Sequence, residues 1–168
     1  MNRLSQKQHE VSHHGNEARM NSNEIITPQH KEDIKYCARI YCSAYRTEPW
    51  NEIYEEAAVE KYITAYLNSD TKRCFALVDN GHITGLALGL IIPCIPDPYF
   101  RIEDFCIDAE VQRKGCGSIF LKLLSEKLKE LGCDSILLGT QRDFPSHRFY
   151  LKNGFEEVDS VLLFKELT

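Results

Sequence analysis

Seven consecutive residues, Gln112-Arg113-Lys114-Gly115-Cys116-Gly117-Ser118, have the composition of an anion cradle. They follow an apolar run that ends at Ile107, and they open a stretch with helical periodicity. Unpaired N–H groups of a first helical turn would therefore emerge from a glycine loop at the positive end of a helix. A pyrophosphate suits such a loop. Glycine lets ligand oxygens approach the main chain, and the missing side chain at Gly117 removes a steric wall where the first turn begins. An ordinary glycine-containing turn has the same local composition, whereas two other nucleotide motifs are excluded by spacing. A P-loop needs Gly, four residues and then Gly-Lys-Ser/Thr, but Lys114 precedes the glycines; a dinucleotide fingerprint needs a third glycine where Phe120 stands.

The elements that must hold this loop are legible from periodicity. Residues 1–23 are polar with no sustained apolar period and read as a leader, which leaves residues 24–168 as one domain. After a short strand at Ile25-Ile26, Thr27-Pro28 has the form of an N-cap and first-turn proline. Ile34, Cys37, Ala38, Tyr41, Cys42 and Tyr45 then keep helical spacing, and Val59, Tyr62, Ile63, Tyr66 and Leu67 repeat it. Apolar runs at 74–78 and 83–92 flank Asp79-Asn80-Gly81, a hairpin signal because Asn and Gly tolerate positive φ. A strand over 99–107 precedes a helix over 115–131, with Ile119, Phe120, Leu123, Leu124, Leu128 and Leu131 inward and Gly132 closing it. A strand over 135–140, a short helix over 145–152 closed by Asn153-Gly154, and a hairpin over 155–167 complete the chain.

This order, together with four local matches, resembles the GNAT superfamily of acetyl-CoA-dependent N-acetyltransferases. Gln112-Arg113-Lys114-Gly115-Cys116-Gly117 fits that family's Q/R-x-x-G-x-G/A loop, and Phe149-Tyr150-Leu151-Lys152-Asn153-Gly154-Phe155 is similar to its F/L-Y-x-x-x-G-F segment. Ile102-Glu103-Asp104-Phe105-Cys106-Ile107 resembles the central strand, especially the I/L-E-D-F opening of spermidine/spermine acetyltransferases. Glu48-Pro49-Trp50-Asn51-Glu52 resembles a P-W-N-E segment of bacterial members, some of them aminoglycoside acetyltransferase-like. One position departs: Asp143 stands where the family often has Asn, and a carboxylate cannot donate as an amide can.

The resemblance implies an α/β fold, a mixed central sheet of about six to seven strands flanked by about four helices. It implies acetyl-CoA as cosubstrate, held by Gln112, Arg113, Lys114, Gly115, Cys116, Gly117 and Ser118 and by the backbone of Phe105, Cys106 and Ile107, with no metal. Tyr150 becomes the general acid for the departing thiolate, with packing against Phe149 as the alternative role. Glu103 is the candidate base, acting through water: on a regular strand it shares parity with Phe105 and Ile107 and opposes Asp104, although binding an ammonium is an equal alternative. Trp50, Glu52 and Asp104 are expected at the acceptor side. Glu48, Glu52, Glu55, Glu56 and Glu60 form either a cation-selecting rim or favourable charges near a helix start.

Composition bounds the rest. Seven scattered cysteines without a C-x-x-C pair, and six histidines off zinc spacing, favour reduced thiols in the cytoplasm over disulfides or a structural metal. A net charge of −5 disfavours nucleic acid, and no run approaches the ~20 apolar residues of a membrane span. Cys106 and Cys116 lack an adjacent activator for a covalent acyl intermediate, and His147 reads as solvent-facing. The expected activity is direct acetyl transfer to a small cationic primary amine, polyamine or aminoglycoside-like. A non-catalytic CoA-binding sensor or a protein N-acetyltransferase are the alternatives, and a homodimer through sheet edges or the terminal hairpin is compatible with either.

Overall fold

The computed structural model describes residues 23–167; of the expected leader only Asn23 falls among them. The chain runs β1 (Asn23–Ile26), α1 (Lys31–Arg46), α2 (Glu56–Leu67), β2 (Lys72–Asp79), β3 (His82–Ile92), β4 (Tyr99–Ile107), α3 (Cys116–Glu130), β5 (Ser135–Leu138) and α4 (Pro145–Lys152). One sheet holds all five strands in sequence order, with the first three pairings antiparallel and β4–β5 parallel. Apolar residues on both faces of the strands require two covered layers. One core cluster joins the sheet to α1 and α2 through Cys37, Tyr41, Ile63 and Leu88; the other joins it to α3 and α4 through Phe100, Phe120, Leu124 and Tyr150.

The sheet has five strands among the described residues, not six to seven, because the terminal hairpin does not form. Residues 155–167 contain no glycine for a tight turn, and Val161-Leu162-Leu163-Phe164 do not alternate. The β2–β3 hairpin has both features the other lacks: Asn80 and Gly81 sit at φ 49° and 81°. Two helix readings also shift. The N-cap of α1 is His30, whose N–H donates to the Asp33 carboxylate at 3.3 Å, and Pro28 is buried ahead of the helix. On α3 the inner stripe is Phe120, Leu121, Leu124 and Leu128, while Ile119 and Leu131 are exposed. Gly117 fixes that rotation by lying against Phe149 of α4.

Two irregularities position the site. Between β3 and β4 the register passes from Leu88↔Asp104 to Gly89↔Ile102, so Glu103 faces no residue and forms a β-bulge. A side chain at Gly89 would overlap the Phe100 ring and the Arg101 carbonyl, which is why glycine occupies the partner position. On the other side of β4, pairing with β5 ends at Ile102↔Leu138, which leaves residues 103–107 without a neighbouring strand.

Candidate active site

The split between β4 and β5 opens a cleft of about 690 Å³, lined from one side by Glu103, Phe105, Cys106 and Ile107 and from the other by Leu138, Gly139 and Thr140. Main-chain direction follows from the ladder. Asp108 N–H donates to Thr84 O at 2.9 Å, so antiparallel alternation turns the Cys106 N–H toward β3 and those of Phe105 and Ile107 toward the open edge. The Ile107 carbonyl confirms this direction by accepting from Gln112 Nε2 at 3.0 Å. Of the three backbone groups expected at the cofactor, two therefore face the cleft.

The loop at the cleft mouth is left-handed at Arg113 (φ 62°) and at Gly115 (φ 89°), the N-cap of α3. Such a reversal turns successive N–H groups to one side, which is what binds an anion. Space beside Gly115 is open, with no atom within 4 Å of where a Cβ would stand, so the residues present fit a diphosphate. Gln112, Arg113, Gly115, Gly117 and Ser118 line the cleft; Lys114 and Cys116 do not, and Lys114 Nζ donates to Glu110 O at 3.1 Å. The reason for Gly117 is also different from the expected one. A Cβ there would stand 3.1 Å from the Phe149 ring, so the glycine seats α3 against α4. Asp143 has φ 69° and lies outside the cleft lining, with its carbonyl accepting from Arg148 Nη1 at 2.9 Å.

Tyr150 and Glu103 line the same cleft. The Tyr150 ring is buried, edge-on to Phe149 at 5.2 Å and to Phe155 at 5.3 Å, and no described residue takes its hydroxyl. Burial first, with the nearby Asp104 carboxylate adding to it, pushes its phenol above the ordinary range, so it stays protonated at neutral pH and can give a proton to a developing anion. Glu103 differs from expectation because the bulge breaks the parity. It pairs with Arg101 Nε at 2.5 Å, and its charge, like those of Asp104 and Arg101, reaches Tyr66 on α2. Glu103 and Asp104 thus share the α2 side.

Asp104 is only 8% exposed and lies behind the cleft lining. Both its carboxylate oxygens are used: Tyr45 Oη donates at 2.8 Å and Tyr62 Oη at 2.9 Å. Tyr45 does line the cleft, with its ring 5.8 Å from Trp50, which in turn lies 5.6 Å from Phe144. Glu52 N–H donates to Tyr45 O at 2.9 Å, while the Glu52 carboxylate accepts from Tyr54 and stays outside the lining. Among the five carboxylates of the expected rim, Glu48 lines the cleft; Glu55 is the N-cap residue of α2 and Glu56 pairs with Arg39 at 3.7 Å. Sequence reasoning treated Tyr45 and Tyr62 as helix packing only. A run of tyrosines at positions 41, 45, 54, 62 and 66, too polar for a plain core, was the available signal.

Burial pushes the Cys37 thiol up to about 12 and the Cys106 thiol well above its ordinary value, so neither supplies a thiolate. Cys116 is half-buried and Cys94 is exposed. His147 is not solvent-facing as expected: its Nε2 lies 2.9 Å from the Glu157 carboxylate and ties α4 to the segment after it. Among the described residues no cluster of His, Cys, Asp or Glu could hold a metal, and no helix is long and apolar enough to cross a membrane.

Comparison with known proteins agrees with this geometry. The family model for the acetyltransferase (GNAT) family matches residues 35–155. Among solved structures, a GNAT family acetyltransferase of Staphylococcus aureus is 23% identical, with 85% of this chain and 99% of that one covered and a TM-score of 0.65. The aminoglycoside acetyltransferase AAC(6')-Iy, solved with a bisubstrate analogue, CoA-S-monomethyl-acetylneamine, is 16% identical over 88% of this chain and 99% of its own, with a TM-score of 0.69. A transcriptional regulator from Bacillus halodurans is 18% identical over 86% and 100%, also at 0.69. At these identities the structural likenesses carry the fold. No curated protein sequence matches the chain. The cleft at a split parallel pair, the left-handed loop at the start of α3 and a family match over most of the chain lead to one assignment: this protein belongs to the GNAT family of acetyltransferases.

Proposed function

We propose that the acceptor is a small cationic primary amine and that transfer is direct, within a ternary complex with acetyl-CoA. One observation supports the acceptor class above the others: Tyr45, Trp50, Glu48 and Glu103 all line the cleft, and aromatic faces together with carboxylates suit an ammonium before it is deprotonated. Acetyl-CoA supplies the activated acyl group. The diphosphate takes the loop amides around Gly115, with Arg113 and Ser118 beside it, and the Phe105 and Ile107 N–H groups serve the pantetheine and the thioester carbonyl.

The amine nitrogen then forms a bond to the carbonyl carbon as the carbon–sulfur bond breaks. The proton lost from the amine passes through water to Glu103, and the departing thiolate takes the phenolic proton of Tyr150. Trp50 contacts the acceptor, whereas Asp104 acts through Tyr45 and positions that wall. Free thiols throughout the described chain suit a cytoplasmic location.

A GNAT fold also occurs in a protein described as a transcriptional regulator, which favours as second reading a module that binds CoA without turnover. The deciding experiment measures CoA release from acetyl-CoA with spermidine, an aminoglycoside, a simple monoamine and a peptide N-terminus. Turnover with the multivalent amines, weaker with the monoamine, is the expected result. Acetyl-CoA binding with no turnover of any amine would establish the sensor instead, and turnover of the peptide alone would overturn the acceptor class.

A further inference from the structure

The contacts of Tyr45, Trp50 and Phe144 can be followed round one end of the cleft without a gap. β4 and β5 are paired at Ile102↔Leu138. From Leu138 the chain runs through Gly139 and Thr140 to Phe144, whose ring lies 5.6 Å from that of Trp50. Trp50 in turn lies 5.8 Å from Tyr45, and the Tyr45 hydroxyl donates to Asp104 at 2.8 Å. Asp104 shares β4 with Ile102, which closes the circuit. Its members Ile102, Leu138, Gly139, Thr140, Tyr45 and Trp50 all line the cleft, whereas Phe144 stands behind the lining. Phe144 is the link that joins the β5 flank to the α1 flank.

Backbone bonds fix both feet of that link. On the α1 side, Trp50 N–H donates to Thr47 O at 3.1 Å and Glu52 N–H to Tyr45 O at 2.9 Å. On the β5 side, Phe144 N–H donates to Gln141 O at 3.3 Å. Asp143, left-handed at φ 69°, gives its N–H to His147 Nδ1 at 3.4 Å, and its carbonyl accepts from Arg148 Nη1 at 2.9 Å. Pro145 keeps Phe144 extended, at φ −71° and ψ 157°. Neither loop is free to withdraw its ring. The remaining tie, from Tyr45 to the Asp104 carboxylate, is a charge-assisted hydrogen bond, the stronger kind.

We propose that Phe144 is a specificity-determining residue: by closing the circuit with Trp50 it makes the acceptor enter end-on through a ring, which sorts amines by cross-section. This role presupposes transfer to an amine, the reading proposed above, and adds width to charge as a criterion. Position along β4 is what makes the ring selective. The N–H groups proposed to serve the thioester belong to Phe105 and Ile107, beyond Asp104 on the strand. The reacting nitrogen must therefore pass the circuit, and the carbons behind it come to lie within the ring. An unbranched chain passes between the aromatic faces. A cyclic group one carbon behind the amine meets Trp50 and Tyr45, and it enters only by parting a packed aromatic contact, a clash that rejects it whatever its charge.

The test uses two primary diamines of equal charge and equal carbon spacing between their nitrogens. One is unbranched hexamethylenediamine; the other is trans-bis(aminomethyl)cyclohexane with its arms on opposite ring carbons. Trp50 is the chain's single tryptophan, so its emission reports on the ring without turnover. With CoA bound, hexamethylenediamine should shift that emission saturably, and the cyclohexane diamine should need about tenfold more or worse. With acetyl-CoA, the two kcat/KM values should differ in the same sense. Phe144→Ala should bring the ratio near unity by admitting the wider diamine, while turnover of hexamethylenediamine and the Tm rise with acetyl-CoA stay as in the native protein. Phe144→Leu, which keeps more bulk, should fall between them. Equal response to both diamines, no emission response to either, or discrimination that survives Phe144→Ala would each overturn the proposal. Width-dependent emission without CoA release would uphold the ring and refute amine transfer, whereas equal turnover of both diamines would uphold transfer and refute the ring.

Discussion

The two walls of the cleft are built in different ways. The loop wall is made of main chain: left-handed residues at Arg113 and Gly115, the start of α3 and the open edge of β4 present N–H groups whose direction local backbone fixes. The opposite wall is made of side chains, and its order depends on contacts between residues far apart in sequence. Tyr45 and Asp104 are 59 positions apart, and Tyr62 and Asp104 are 42. A backbone wall suits a ligand part that never changes, while a side-chain wall can be altered residue by residue without loss of the fold. Cofactor affinity and acceptor choice should therefore separate under mutation.

The largest expected effect tests the group between the walls. Tyr150→Phe should lower kcat by ~10² to 10⁴ if the phenol gives its proton to the thiolate, with acetyl-CoA affinity unchanged. Steady-state kinetics beside a binding isotherm read both; equal turnover would leave Tyr150 as packing alone. Next comes the loop wall. Acetyl-CoA at ~100 Kd should add about 2.7 kcal/mol of stability to the native protein, a Tm rise of roughly 5 to 11 °C. Gly117→Val drives a side chain into the Phe149 ring and should abolish that rise, beyond its own overpacking cost of ~1–3 kcal/mol. If the ligand-induced rise survives, the seat of α3 on α4 does not matter to the loop.

The smallest effect belongs to the side-chain wall. Asp104→Ala leaves the half-buried Tyr45 and the more exposed Tyr62 phenols without their acceptor, costing about 1 kcal/mol, and should raise the acceptor KM while the acetyl-CoA Tm rise stays intact. The pH dependence has a definite sign. Burial first, with the Asp104 charge and hydrogen bond contributing, pushes the Tyr45 and Tyr62 phenols above their ordinary value of 10.0. Stability is therefore full below pH 10 and falls as pH rises past it, because the unfolded chain releases protons that the folded chain keeps. Removing the carboxylate should soften that alkaline fall, which urea denaturation across pH 8–11 would measure. An unchanged acceptor KM would show that the aromatic wall does not depend on Asp104.

The same division explains what the sequence revealed. β4 and α4 were legible to the residue because apolar runs, Pro145 and the Asn153-Gly154 stop act locally. Glu103 was misplaced because a bulge is a property of two strands together, and nothing within β4 announces the extra residue. Asp104 looked like a ligand for a similar reason, since a carboxylate on a strand reads as available until the tyrosines that occupy it are in place. The terminal hairpin is absent because residues 155–167 carry an apolar run but neither a turn glycine nor period-2 alternation, and apolar character alone does not specify a strand.

The burial of the cysteines has a practical consequence at the bench. Cys37, Cys42, Cys74, Cys106 and Cys133 lie in the packed interior, and burial raises each of their thiols against ionisation. An aromatic disulfide reagent added to follow newly freed CoA would therefore titrate product with little background from those five thiols, exposed Cys94 and half-buried Cys116 being the ones to blank or replace. A slow drift of colour in such an assay, without amine, would instead report opening of the protein interior.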